Sequence, residues 1–288
     1  VYKRQIINIL LNYIFIFEFG WGMMGAAFAT SLGTVVGGLM TLVYLMHYSH
    51  NLRLYRIKLS RKSLRMTFRN IGYMVKLGNS AFVSEASIAC MMFLGNYVFI
   101  RNLGEDGVAA FSIVCYFFPI IFMVYNAIAQ SAQPIISYNF GAGQPERIRK
   151  ALRLSLRTAL ICGICFFILT TLCCRNIVAL FIDRSYSAFD IAVNGIPYFG
   201  IGFIFFAINM IGIGYYQSIE RGQRATIITL LRGVVFMLIG FFVLPPILGV
   251  PGIWLAVPSA ELLTTLYIIG IYFKDRFIAV SYTHLRAH

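Results

Sequence analysis

Apolar residues run through this chain in long blocks rather than in alternation, and the blocks have the length of a membrane crossing. About 20 apolar residues at 1.5 Å each span a hydrocarbon core of about 30 Å. By that ruler eight segments are predicted: a short one at 6–19, then 23–46, 77–100, 108–129, 151–174, 191–214, 225–248 and 250–273. Backbone polar groups in lipid must be bonded within the protein, so continuous apolar runs are helices; barrel strands would alternate apolar with polar residues. The predicted fold class is an all-α integral membrane protein, a polytopic helical bundle.

The polar stretches between the blocks alternate in charge. Residues 47–76 carry Arg53, Arg56, Lys58, Arg61, Lys62, Arg65, Arg69 and Lys76 with no acid, which places this linker in the cytoplasm. Glu105 and Asp106 mark the next turn as external. Arg147, Arg149, Lys150, Arg153 and Arg157 bring the following one back inside, and Lys274 and Arg276 end the last segment on the basic side. Eight crossings with both ends cytoplasmic satisfy every turn. Within the linker, Leu64, Phe68, Ile71 and Val75 recur at helical spacing beside a stripe of Arg61, Arg65 and Arg69, predicting an amphipathic helix on the inner leaflet.

Composition agrees with this pattern. The 288 residues are 59% hydrophobic and 12% charged, with mean hydropathy +0.79, more apolar surface than a soluble domain of this size can bury. The net charge of +14 is read as the loop bias of a membrane protein, not as a nucleic-acid surface. All 6 cysteines fall in apolar runs. Cys162 and Cys165 have redox-motif spacing without a βαβ context or a second pair, so they read as small interhelical residues. Residues 1–5 and 281–288 resemble translated sequencing-adaptor read-through and are left out of the fold argument; the basic excess survives without Lys3, Arg4 and Arg286.

One short pattern occurs twice. Gly22-Met-Met-Gly25-Ala-Ala-Phe-Ala29 follows the first segment and Gly249-Val-Pro-Gly252-Ile-Trp-Leu-Ala256 follows the seventh, both G-x-x-G-x-x-x-A. The first two segments thus look like the last two duplicated. Residues 6–46 are expected to be the last two helices of one bundle, 47–76 a cytoplasmic linker and 77–280 a complete six-helix bundle, with four helices expected ahead of residue 6.

Two carboxylates lie inside apolar segments. Glu85 stands about a third of the way along 77–100, where an ionised side chain costs about 2.5–3.5 kcal/mol even on the mildest scale and so faces a bundle interior or a watery cavity. It has no basic partner in sequence. A carboxyl group so placed can hold a proton and release it when water or a cation arrives, which makes proton or sodium exchange available without another cofactor. Asn79, Ser80, Ser84, Ser87 and Asn96 supply hydrogen-bonding capacity around it, and equally serve as interhelical contacts. Glu261 lies three residues after Pro258, whose ring removes a backbone donor and bends the helix. Glu261 either lines a cavity beside that kink or is clasped by Arg232 of the seventh segment. Pro119 and Pro197 are further candidate bends. No metal cluster, catalytic triad or nucleotide loop is legible, and no enzyme activity is expected. His47 and His50 have no acidic neighbour, and Gly141-Ala-Gly143 lacks a phosphate-loop lysine.

Three stretches, Met24 to Thr30, Gln133 to Gly143 and Gly252 to Glu261, together resemble the multidrug and toxin extrusion (MATE) family in order and spacing. The resemblance covers the chain between its two ends and implies helices five to twelve of a twelve-helix transporter. It implies export of organic cations and drugs in exchange for protons or sodium, by alternating access, across a bacterial inner membrane. Its partners would be small organic cations and membrane lipids, with no nucleic acid. Ser84-Glu85-Ala-Ser87 matches the family's glutamate in a serine-rich seventh helix, and Glu261 matches a glutamate of many bacterial members. The family's tenth-helix aspartate has no match within 191–214, which leaves proton against sodium open. Alternatives are a lipid-linked oligosaccharide flippase of the same superfamily, which would need basic cavity residues where only Arg232 lies inside a helix, and a non-transporting scaffold or enzyme subunit.

Overall fold

The computed structural model describes residues 2–48 and 60–285; most of the predicted linker lies outside the described residues. The described chain is helical, without a strand. Ten α-helices follow one another: α1 (Tyr2–Tyr13), α2 (Gly22–His47), α3 (Arg61–Gly141), α4 (Pro145–Leu172), α5 (Cys174–Ala179), α6 (Ser187–Gly200), α7 (Gly202–Ser218), α8 (Gly222–Leu230), α9 (Phe236–Leu248) and α10 (Val250–Leu285). Single π-helical turns extend α1 (Ile14–Glu18) and join α8 to α9 (Leu231–Val235). Contacts divide the chain into two units, Val1–Thr67 and Phe68–His288.

In the first unit α1 packs on α2 through a small-residue stripe. Gly25, Ala29 and Gly33 are the buried residues of α2. A Cβ at Gly25 would stand 2.8 Å from the Phe15 carbonyl oxygen and one at Gly33 3.2 Å from the Asn8 amide. Small residues allow this approach, and in lipid that matters because apolar side chains gain nothing merely by leaving one hydrocarbon for another.

The repeated sequence pattern is also a repeated geometry. Its first glycine has positive φ in both copies, +52° at Gly22 and +65° at Gly249, a conformation that costs glycine nothing. Its second glycine lies against a carbonyl of the preceding helix, Phe15 for Gly25 and Leu244 for Gly252. Its alanine, Ala29 or Ala256, is completely buried.

In the second unit α3 is broken once, at Gly104 (φ 67°, ψ −156°). Its two halves turn back on each other there: Gly95 lies under the Phe111 ring, and Phe99 stacks on Phe111 at 4.6 Å. The core gathers where the second half of α3, α4, α6, α7 and α10 converge, around Phe118, Phe122, Tyr125, Phe203, Phe206 and Trp254. Tyr125 donates its hydroxyl to the Phe203 carbonyl at 3.0 Å, so its polar end is satisfied inside the bundle. α6 and α7 form one crossing bent by 42°, shortly after Pro197. Proline leaves the carbonyl four residues back without its helical donor; the Cys174 thiol points at that carbonyl, on Val193, at 3.6 Å.

Two expectations change. By length and composition five helices among the described residues can cross a membrane, six with the bent α6–α7 pair, rather than eight. The difference has two sources: α3 holds the predicted segments 77–100 and 108–129 in one broken helix, and the first segment lies in the shorter Gln5–Glu18. The separate surface helix expected in the linker is the start of α3. Ser60 accepts a hydrogen bond from the Ser63 backbone N–H at 3.2 Å, as an N-cap does. From there the helix runs on without a stop, leaving Leu64, Phe68, Ile71 and Val75 exposed.

Candidate functional site

Two polar clusters lie side by side in the second unit, on neighbouring faces of α3. Ser80, Ser84 and Ser87 are buried, and their spacing of four and three puts them on one helical stripe. Ser80 belongs to the first cluster and Ser87 to the second.

The first cluster is a cleft of about 220 Å³ between α3 and α7, lined by Ser84, Glu85, Asn126, Gln130, Gln133 and Gln217 among others. Glu85 is exposed to it. A hydrogen-bonded chain borders the cleft: Gln133 Nε2 donates to Gln217 Oε1 at 2.7 Å, and Gln217 Nε2 donates to Ser80 Oγ at 2.7 Å. Glu85 takes no part in that chain and has no ion-pair partner among the described residues. No lysine or arginine lines the cleft. A lone carboxylate among neutral amides is suited to a cation that brings its own charge, because desolvating an unpaired anion is offset only by an opposite charge.

The second cluster is closed. Arg232 is 4% exposed and Glu261 6%, and their Nη1 and Oε1 atoms are 3.5 Å apart. Asn209 Nδ2 donates to Glu261 Oε2 at 2.6 Å and to the Glu261 carbonyl at 2.9 Å. Its own Oδ1 accepts from the Thr265 hydroxyl at 2.9 Å, which fixes the amide's orientation. Arg232 Nη2 lies 3.4 Å from Ser87 Oγ, and the guanidinium sits 4.7 Å over the Phe206 ring, a cation–π geometry. Arg232 Nε has no partner among the described residues. A cavity of about 20 Å³ adjoins Ser87, Arg232 and Glu261, a volume that admits one water.

A local departure from α-geometry puts Arg232 there. The Phe236 N–H bonds to the Leu231 carbonyl, closing a π-turn over Leu231–Val235. Such turns insert one residue and recur at functional sites. Gly233, within the turn, abuts Ser87; any side chain there would push α3 away and pull Ser87 out of reach of Arg232.

The predicted residues divide between these places. Ser84 and Glu85 share the cleft, while Ser87 and Glu261 share the closed pair with Arg232. Asn79 and Asn96 are exposed on α3, outside both clusters. Pro258 is buried against Gly202, where a Cβ would meet the proline ring at 3.3 Å; it packs α10 on α7 and lines neither site. Asn126, Gln130, Gln133, Asn209 and Gln217 were not singled out by sequence. The spacing of 126, 130 and 133, four and three, was the available sign of a polar helical face.

An apolar bundle that surrounds a sealed charge pair and an open carboxylate cleft belongs to the polytopic membrane transporters, which set polar groups between helices to meet a passing solute. Within that class, a MatE family profile matches residues 80–250, over half the chain, and the chain belongs to this family, as the three sequence motifs implied. The multidrug export protein MepA of Staphylococcus aureus (strain bovine RF122 / ET3-1) is 24% identical over 269 residues, covering 90% of this chain and 56% of the relative. MepA of Staphylococcus saprophyticus is 24% identical over 267 residues, with 91% and 56% covered. The chain therefore spans about half the length of the curated relatives it matches. Among solved structures, a multidrug resistance MATE family transporter of the MOP superfamily in its outward-facing conformation superposes with TM-score 0.83 at 20% identity, over 96% of this chain and 61% of that one. A MOP superfamily transporter from Pyrococcus furiosus, for which a different function is suggested from the reverse polarity of its binding pocket, superposes equally, with TM-score 0.83 at 20% identity. These likenesses establish the fold.

Proposed function

We propose that this chain works in a drug exporter of a bacterial inner membrane, exchanging an organic cation for a proton or sodium ion by alternating access, with residues 77–280 as one six-helix bundle and 6–46 as the end of another. The observation that carries this reading is Glu85: an exposed carboxylate, with no ion pair among the described residues, in a cleft of neutral amides. A proton, a sodium ion or an organic cation can each neutralise it, so binding one displaces another, and that competition is what antiport requires. The family's MepA relatives support the choice of drugs as cargo. The flippase alternative needs cationic side chains on the cavity wall, and Arg232, the arginine it would use, is engaged with Glu261. The closed pair is assigned to holding α7, π-turn and α10 together rather than to contact with the solute.

The test is ethidium efflux from cells expressing the gene, driven in turn by a proton and by a sodium gradient. Glu85→Gln keeps the side chain's size and removes its charge; efflux is expected to fall to the background of empty cells while the protein still reaches the membrane at its normal level. Efflux unchanged by Glu85→Gln would remove Glu85 from the mechanism, and absence of gradient-driven efflux in the unaltered protein would overturn the exporter reading.

A further inference from the structure

A cleft of about 570 Å³ lies between α4, α7 and α10, away from both polar clusters. Its walls are apolar for most of their length, with Leu156, Ile208 and Ile268 among the lining, and basic and aromatic at one end, with Arg149, Arg153 and Tyr272. The order along each helix gives the cleft its polarity. Arg149 and Arg153 precede Leu156 on α4, whereas Tyr272 follows Ile268 on α10. The two tyrosines at that end, Tyr215 and Tyr272, meet edge-on at 6.4 Å. Arg149 is paired with Glu146 at 2.9 Å. Arg153 is exposed and has no ion pair among the described residues.

An open apolar cleft at membrane depth is not left empty, because its lining would forfeit dispersion contacts on one side. The flexible apolar filler that a bilayer supplies is an acyl chain. Tyrosines mark the headgroup level, and the basic first turns of α4 assign this end to the cytoplasmic leaflet, whose anionic lipids attract arginine at about 1 kcal/mol each. We propose that this cleft is a binding site for an anionic phospholipid, one acyl chain seated between α7 and α10 and its phosphate on Arg153, with Arg149 beside it. The proposal is independent of the export reading.

It is tested by native mass spectrometry of the whole chain from mild detergent, with added phosphatidylglycerol or phosphatidylcholine of identical acyl chains. The unaltered protein is expected to retain phosphatidylglycerol preferentially. Arg153→Gln should weaken that retention about fivefold and leave phosphatidylcholine unchanged. Ile269→Trp, which narrows the cleft from its exposed edge, should weaken both lipids. Arg157→Gln, one turn further along α4 and outside the cleft, should change neither. Equal retention of the two lipids by the unaltered protein would overturn the headgroup assignment. An Arg157→Gln effect as large as that of Arg153→Gln would reduce the interaction to general surface charge and overturn the site, as would unaltered phosphatidylglycerol retention in both Arg153→Gln and Ile269→Trp.

Discussion

Replacing Glu261 by Gln isolates what the closed pair does. Arg232 is 4% exposed, and Glu261 is the one carboxylate within salt-bridge distance of it among the described residues. Glutamine keeps the side-chain volume and can still accept from Asn209, but it leaves the guanidinium charge uncompensated. Removing one partner of a buried pair costs about 3–5 kcal/mol, and the retained amide dipole argues for the lower end, about 3 kcal/mol. At about 2–4 °C per kcal/mol for a protein of this size, the melting point in mild detergent should fall by roughly 6–12 °C. The double variant Arg232→Met, Glu261→Met removes both charges and refills the space with apolar atoms. It should recover most of that loss, since replacing a whole buried pair is often neutral or stabilising. Fluorescence-detected thermal melts of the unaltered protein, both single variants and the double variant give the coupling directly. A Glu261→Gln variant that melts with the unaltered protein, or a double variant that melts below both singles, would refute the view that these two charges are held in place by each other.

Two further outcomes follow from the packing. Asn209→Leu removes the donor to Glu261 Oε2 and to the Glu261 carbonyl and the acceptor for Thr265; about 2–3 kcal/mol should be lost, read as a lower melting point. Gly195→Ala drives a methyl group into the Trp254 ring, an overpacking that costs about 1–3 kcal/mol and should lower the folded yield on size-exclusion, whereas Gly270→Ala, with open space around it, should not.

The sequence was sufficient for everything that depends on the cost of placing one chemical group in hydrocarbon. That cost requires long apolar runs to be helices, sorts basic loops from acidic ones, and marks Glu85 and Glu261 as residues whose presence needs a reason. The doubled G-x-x-G-x-x-x-A turn was legible for a related reason: a left-handed backbone and a close carbonyl contact each demand glycine at a fixed offset. One error was avoidable, because Ser87 lies two residues from Glu85 and residues two apart on a helix do not share a face. What tertiary structure decided was pairing. Arg232 and Glu261 stand 29 positions apart, and nothing local brings them together; the π-turn at Leu231–Val235 and the absent side chain of Gly233 do. Asn209 and Gln217 likewise acquire their roles only when α7 is laid against α10 and α3. The energy of a buried charge is set by its neighbours in space, so sequence could locate both carboxylates and only the fold could leave one open and seal the other.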